Sequence, residues 1–201
     1  QPDSAPKIID ELKIWCGRTY RYFIWDGIEV FINGEGVYAI DPLYSKTEST
    51  KFPEDPAAHE FEPITIPHPV PQIDIQNGKK KSEIRVRISL LDKSHYPNQG
   101  AGNTTATQER CIDQNQGVSI MRNNREVFYG PIPRWPGDAK WFNEKDRWWG
   151  CEISFDAILD RAFTVKNIKR GAVPNKELKE LIYDEIRGTR ETCLEKISDV
   201  W

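Results

Sequence analysis

The sequence has no apolar run that approaches the roughly 18–20 residues needed to span a bilayer. Its N-terminus, Gln1-Pro2-Asp3-Ser4, lacks the charged start and apolar core of a signal peptide. Cys16, Cys111, Cys151 and Cys193 include no Cys-x-x-Cys pair, so neither a disulfide framework nor a zinc site is expected. These absences predict a cytoplasmic protein with free thiols and no membrane contact. Because the chain does not begin with Met, we expect a processed or excised fragment.

Motifs that are typical of catalytic sites are also missing from the sequence. There is no Gly-x-Ser-x-Gly, no His-Glu-x-x-His and no Walker-type glycine loop. His59, His68 and His95 are scattered without metal-ligand spacing. A net charge of −3 and a pI of about 5.7 argue against a dedicated nucleic-acid binder, although a local basic patch remains compatible with them.

What is present is the composition of an ordinary globular chain. Its 201 residues are 38% hydrophobic and 29% charged, which suits one domain with a sizeable core. We therefore expect a single domain over 1–201 with an α+β fold, in which helices pack mainly on one face of a mostly antiparallel sheet. Its predicted parts are an N-terminal helix (7–26), hairpins and sheet (28–91), a loop (92–115), a core (116–173) and a long C-terminal helix (174–201).

The N-terminal helix is predicted from an apolar stripe that contains Ile8, Leu12 and Trp15. The cations of the other face, among them Arg18 and Arg21, are expected to be solvated. Asn33-Gly34 then predicts a tight hairpin between the apolar runs 28–32 and 37–40.

The middle of the chain is predicted to form β-strands. The runs 61–66 and 71–75 are predicted to be strand pieces, with their prolines favouring an edge. Residues 82–91 alternate, with Ile84, Val86, Ile88 and Leu90 predicted inward. Residues 92–115 are expected to be a mobile loop or a segment ordered by a partner. A hairpin is predicted around Asn123-Asn124, and a helix after Pro174-Asn175.

The most informative stretch is 146–170. Residues 147–155 read as a buried strand, Asp156 as an N-cap and 157–163 as about two helical turns. The following residues, 164–171, are polar and basic, which suits an anion because lysine is a compact charge for phosphate. Trp148 and Trp149 should point to opposite faces, either as packing or as a stacking platform. Arg147 is expected to pair with Glu152 or Asp146.

This stretch resembles the second, transducer domain of bacterial ATPases of the GHKL superfamily (gyrase, Hsp-ninety, histidine kinase, MutL), particularly the MORC-like group. There, a strand of the type DRWWGxEIxF leads to LDxxF and a loop ending NNKQ. This chain has Asp146 to Phe155 in the first pattern, Leu159-Asp160 and Phe163 in the second, and Asn167-Ile168-Lys169-Arg170 in the loop. The group's "YR…vNG…DP" and "GiSivRxxReixyG" patterns are matched around Tyr20-Arg21, Asn33-Gly34, Asp41-Pro42 and 117–130.

The resemblance implies a ribosomal-protein-S-five-type core and a function. In the superfamily, the loop lysine reaches the γ-phosphate of an ATP held by the neighbouring domain, so Lys169 is the matching residue. Lys166 is next if the register differs, while Asn167 and Arg170 flank the site and Arg170 replaces the usual Gln. The Asp-x-Gly-x-Gly motif and the Asn box that hold ATP and Mg²⁺ are not in this sequence. The resemblance therefore implies an upstream ATP-binding domain, a homodimer, and no ATP hydrolysis by this chain alone.

Two rival functions remain. Seven tryptophans and long loops would also suit a carbohydrate- or peptide-binding module, which predicts an exposed row of aromatic rings. A DNA-contacting module of a repair or defence ATPase would use Lys79, Lys80, Lys81, Arg85 and Arg87, although a solvated turn explains that cluster equally.

Overall fold

The computed structural model describes residues 5–47, 50–70, 72–74, 78, 80–132, 136, 143–163 and 173–201. The helices in these ranges are α1 (Ala5–Thr19), α2 (Arg21–Trp25), α3 (Thr105–Glu109) and α4 (Lys176–Val200). A small hairpin contains β1 (Phe31–Ile32) and β2 (Glu35–Gly36). The main sheet contains β3 (His59–Glu60), β4 (Ile64–Pro69), β5 (Lys81–Leu90), β6 (Val118–Arg122), β7 (Arg125–Gly130) and β8 (Trp149–Phe155).

The main sheet is mixed and is organised around β5 and β8. Its order is β3-β5-β8-β6-β7, and β4 also pairs with β5. Only the pairing of β6 with β8 is parallel among these described strands, since the others are antiparallel. The prolines of β4, Pro67 and Pro69, stand on a strand that, among the described strands, pairs with β5 alone, which agrees with the predicted edge placement. The α+β fold with a mixed sheet and a long C-terminal helix is confirmed.

One face of the sheet carries the apolar core. Ile84, Val86 and Ile88 of β5 and Cys151 and Ile153 of β8 are all buried, in the alternation that the sequence predicted for β5. Helix α4 covers this face. Its buried positions are Leu178, Ile182, Ile186, Cys193 and Ile197. The side chain of Asn175 accepts from the backbone N–H of Leu178, which caps the helix where Pro174-Asn175 predicted its start.

The other face of the sheet is polar, and α1 and α2 reach it. The predicted single helix over 7–26 is wrong, because the backbone breaks at Tyr20 between α1 and α2. The break directly precedes Arg21, whose side chain is completely buried against the sheet rather than solvated. Ile8, Leu12 and Trp15 keep 43–46% of their surface exposed, so the described residues do not cover the expected apolar stripe.

Both predicted hairpin turns are confirmed by the backbone. Asn33 and Gly34 have φ of 52° and 82°, and Asn123 and Asn124 have φ of 48° and 63°. Two successive positive φ values are the geometry of a type I′ turn, which asparagine and glycine tolerate better than other residues. The strands that flank Asn33-Gly34 are shorter than expected, with only two residues each.

The expected loop over 92–115 is wrong. It consists of 3-10 turns at Lys93–His95, Gln99–Asn103 and Ile112–Gln114, together with α3. The polar residues that suggested a loop act as caps, because Asp92, Asn98 and Thr104 each accept a backbone N–H within the segment. Likewise Gln72–Asp74 is a 3-10 turn and not a strand, and β8 begins at Trp149 after a 3-10 turn over Glu144–Trp148.

Candidate functional site

The four residues that the resemblance assigns to the phosphate site, Lys166, Asn167, Lys169 and Arg170, lie outside the described residues. The residues that flank this segment are described. The backbone N–H of Val173 donates to the carbonyl of Phe163 (2.9 Å), and that of Asn175 donates to Ala162 (2.9 Å). The described residues on the two sides of 164–172 are therefore hydrogen-bonded to each other.

That place is firmly packed. Phe163 is fully buried and stacks on Phe155, the last residue of β8, with ring centroids 3.7 Å apart. Leu159 is also fully buried. The two helical turns predicted over 157–163 are instead a 3-10 turn (Ala157–Leu159) followed by further turns. Asp156 takes the N-cap position, as predicted, but its side chain makes no capping bond. On the other side, Asn175 begins α4. The undescribed segment thus connects the end of a central strand to the start of the longest helix among the described elements.

The polar face of the sheet holds a buried charge cluster, which we call the Arg21 cluster: Arg21, Ser119, Glu126 and Glu152. One Arg21 nitrogen donates to Glu126 (3.1 Å) and to the carbonyl of Arg18 (2.9 Å). The other donates to Ser119 (2.8 Å) and Glu152 (2.5 Å). Arg18 adds a second cation on Glu126, at 2.7 Å. The cluster ties α1 and α2 to three strands of the main sheet.

Further hydrogen bonds connect Glu152 to Tyr22 and Arg87. The Tyr22 hydroxyl donates to Glu152 at 2.7 Å, and Arg87 donates to the Tyr22 oxygen at 3.0 Å. Arg87 also pairs with Glu60 at 2.9 Å. Burial, and after it the charge of Glu152, raises the pKa of Tyr22 above its ordinary value, so the phenol stays a neutral donor.

The cluster has the chemistry of a structural element. Burial lowers the pKa of Arg21, but the carboxylates of Glu152 and Glu126 raise it by more, so the net shift is upward and Arg21 stays charged. Nearly all of its polar atoms are partnered, and only Nε of Arg21 is buried without a hydrogen bond. Because the cluster is buried and nearly all of its polar atoms are hydrogen-bonded, it has no open position for a substrate, so we assign it to fold stability.

The sequence did not predict this cluster, because the pattern around its members also fits a solvated face. Ser119 stands between Val118 and Ile120, and Glu152 between Cys151 and Ile153, so each is the polar position of an alternating strand. Because Glu152 is buried, its carboxylate requires a cationic partner, and Arg21 supplies the charge directly after the break between α1 and α2.

Other motif residues also have packing roles. A Cβ on Gly150 would lie 2.2 Å from the carbonyl oxygen of Pro42, so only glycine lets β8 approach this backbone. Asp41 accepts backbone N–H groups from Leu43 (3.0 Å) and Ser45 (2.9 Å) and so fixes the turn after it.

Asp146 is the anchor of a second buried pair. It accepts from Arg190 of α4 at 2.9 Å and from the indole N–H of Trp149 at 2.9 Å. The predicted pairing of Arg147 with Glu152 or Asp146 is wrong. Arg147 instead donates to the carbonyls of Gly102 (2.6 Å) and Glu144 (3.0 Å), because the 3-10 turn before β8 directs it away from both carboxylates.

The structure describes some of the residues that the two rival functions would use. Trp148 and Trp149 are buried, at 1% and 2% exposure, and offer no stacking platform. In the basic cluster, Lys79 lies outside the described residues, while Lys80, Lys81 and Arg85 are exposed. Arg87 does not belong with them, because Glu60, Glu152 and Tyr22 hold it.

Metal-binding clusters, disulfides and membrane-spanning helices are absent from the described ranges. They contain no group of three His, Cys, Asp or Glu side chains placed to hold a metal ion. All four cysteines are free thiols, and burial raises the pKa of Cys193 to about 12 and that of Cys111 above its ordinary value. None of the helices described has the length and apolar content that crossing a membrane requires.

Comparison of the chain with protein-family models, with curated proteins and with solved structures finds no match in any of the three.

Proposed function

We propose that this chain is the transducer domain of a GHKL-type ATPase, as its sequence resemblance implies. In this proposal Lys169 reaches the γ-phosphate of an ATP that, with Mg²⁺, is bound chiefly by an upstream domain. Lys166, Asn167 and Arg170 flank that contact. The chain passes the nucleotide state to a homodimer partner or effector and does not hydrolyse ATP by itself.

The observation that carries the proposal is the convergence of the three stretches of resemblance. Arg21 from the first stretch, Ser119 from the second and Glu152 from the third meet in one buried cluster. Gly150 and Pro42, also from separate stretches, touch through the backbone. Motifs that resemble one family and that also pack as one unit are better evidence than three separate matches.

The described residues on the two sides of 164–172 support a relay. A cation placed at a γ-phosphate stabilises the charge that develops during transfer, and it also distinguishes triphosphate from diphosphate. Because residues 164–172 connect the part of the chain after β8 to α4, a displacement of Lys169 on contact with the γ-phosphate would act on both elements. Buried Phe163 and the Asn175 cap make the two attachment points stiff, so a small displacement would be transmitted to the helix.

The test is steady-state ATP hydrolysis by the natural protein that contains this chain, beside its Lys169→Ala variant. We expect a decrease of about 10²-fold or more, the order for one lost transition-state donor. Lys166→Ala should have a smaller effect. Lys176→Ala is the matched control, since that side chain is 90% exposed on α4 and has only one weak surface pair.

Nucleotide binding separates a lost phosphate contact from a misfolded protein. Lys169→Ala should weaken binding of a non-hydrolysable ATP analogue and leave ADP affinity unchanged, because only the triphosphate presents a γ-phosphate. Equal hydrolysis by wild type and Lys169→Ala would refute the assignment of Lys169 and make Lys166 the next residue to test. Absence of ATPase activity in the wild type would refute the family proposal.

A further inference from the structure

A pocket of about 530 Å³ lies beside α1. Its described walls come from α1, from the hairpin and the residues after it (35–41), from residues within 44–47 and 50–56, and from 108–111. Apolar and aromatic side chains supply much of the lining, among them Ile14, Val37, Tyr44 and Phe52. Both the volume and this mixture are typical of small-molecule sites. We call it the α1–α3 pocket.

Two strained residues form part of one wall. Among the described residues, five non-glycine residues have positive φ, and three of these are asparagines in turns. The other two, Tyr44 (φ 53°) and Cys111 (φ 58°), both line the α1–α3 pocket. A bulky residue in this region is a genuine outlier. Such residues concentrate at functional sites, where the surrounding structure holds them in place.

The strain at these two residues is held by specific bonds. The Tyr44 hydroxyl donates to the carbonyl of Arg110, the residue before Cys111, at 2.7 Å. The Tyr44 backbone N–H donates to Asp41 (3.0 Å), and its carbonyl accepts from Ala58 (2.8 Å). These bonds join the segment that contains Tyr44 to the segment that contains Cys111 and to Ala58.

Two of the cationic side chains that line the pocket form ion pairs. Lys13 is paired with Glu35 at 2.5 Å, and Arg110 is held by both oxygens of Asp55, at 2.6 and 2.9 Å. Arg110 also lies 3.9 Å over the Phe52 ring.

Lys46 and Lys51 differ from those two cations. Within the described part of the chain they have no acidic partner, and each ammonium contacts only an aromatic ring, Trp25 at 4.9 Å and Phe52 at 5.5 Å. Lys46 and Lys51 are close together in the sequence, with Thr47 and Thr50, and all four line the pocket. Three lining acids have no ion pair among the described residues: Asp10 of α1, Glu109, which is adjacent to Arg110 and acts on its charge, and Asp41, which is buried and accepts backbone N–H groups from Leu43 and Ser45.

We propose that the α1–α3 pocket binds a small organic anion, whose carboxylate or phosphate contacts Lys46 and Lys51 and whose planar apolar body lies against Phe52 and Tyr44. The side chains that bind the anion in this proposal are not among those assigned to the ATP contact. The pocket would give the domain a second ligand, and it does not require the upstream domain.

The test uses three naphthalene probes with the same planar body: 2-naphthoate, 2-naphthyl phosphate and the neutral 2-naphthamide. Binding to the full 201-residue chain is followed by amide chemical shifts in a ¹H–¹⁵N NMR titration. We expect shifts at Tyr44, Phe52 and Cys111, and about tenfold tighter binding of at least one anion than of the amide, as a charge-assisted contact provides. The tighter anion identifies the head group.

Variants assign the contacts. Lys46→Gln with Lys51→Gln should abolish the preference for the anion but keep weak binding of all three probes. Phe52→Ala should weaken all three by a similar factor. Lys176→Gln, on the exposed side of α4, is the control for a change in net charge and should alter nothing.

Two outcomes would overturn the proposal. One is equal affinity for the anions and the amide in the wild type. The other is a set of shifts centred on the exposed side chains of α1, Ile8, Leu12 and Trp15, which would show that the probes bind that apolar surface instead. Absence of any shift counts equally against the pocket.

Discussion

Removal of the Arg21 guanidinium should destabilise the domain more than any surface charge change. In an Arg21→Met variant the volume is largely kept, while four hydrogen bonds are lost, to Arg18, Glu126, Ser119 and Glu152. Each carboxylate retains one other cation, Glu126 at 2.7 Å from Arg18 and Glu152 at 3.5 Å from Arg87. Removing one partner of a buried ion pair costs about 3–5 kcal/mol. Because each carboxylate keeps another cation, we expect Arg21→Met to lower the free energy of unfolding by about 3 kcal/mol.

Urea denaturation followed by tryptophan fluorescence measures this loss in the free energy of unfolding. A double-mutant cycle with Glu152→Gln should show a coupling energy of about 1 kcal/mol or more, since the two groups are in direct contact. Arg187→Met is the matched control, because Arg187 is exposed on α4 and should change stability by no more than about 0.5 kcal/mol. If Arg21→Met behaves like Arg187→Met, the cluster does not stabilise the fold as described.

Four further substitutions test other parts of the fold. Gly150→Ala should lower the free energy of unfolding by about 3 kcal/mol or prevent folding, because the added Cβ would lie 2.2 Å from the carbonyl oxygen of Pro42. Gly188→Ala has open space around it in α4, so it should raise the free energy of unfolding by about 0.5–1 kcal/mol in urea denaturation. Arg190→Ala should cost about 3 kcal/mol in the same assay by leaving the buried Asp146 without that cation, and equal stability would contradict the role of this pair. His95 has a pKa below its ordinary value of 6.5, chiefly through burial, so the stability that it contributes is present above about pH 6.5 and is lost as the pH falls through the folded-state pKa. Relative to wild type, a His95→Asn variant should therefore show a smaller fall in urea midpoint between about pH 7 and 5, and parallel curves would exclude this titration.

Local patterns predicted the elements whose environment is set by their own sequence. The alternation in 82–91 gave β5, the Asn-Gly and Asn-Asn pairs gave two turns, and Asn175 gave the start of α4. In each case the residue acts on its own backbone or on one face of its own element. The 3-10 turns within 92–115 were missed because the same Asn, Asp and Thr residues that favour loops also cap short helices.

The buried charges could not be placed from local pattern. On a helical wheel Arg21 is one cation of a polar face, and nothing in α1 or α2 distinguishes it from Arg18 or Lys13. Its burial depends on Glu126 and Glu152, which are more than a hundred residues away along the chain. The pocket wall could not be predicted either, because it joins two segments that are far apart in the sequence, through the hydrogen bond from Tyr44 to the carbonyl of Arg110.

The motif residues divide into two groups, which mutation should separate. Arg21, Ser119, Gly150 and Glu152 are buried in packing or paired with one another, so their substitution should lower stability, and any loss of activity should follow the loss of folded protein. Lys169 has no such role in the proposal, so Lys169→Ala should lower ATP hydrolysis at unchanged stability. The two effects are measurable on the same samples, with urea midpoints beside turnover. A Glu152→Gln variant that stays folded and still hydrolyses ATP, beside a Lys169→Ala variant that stays folded and does not, would distinguish a residue that builds the transducer from one that senses the nucleotide.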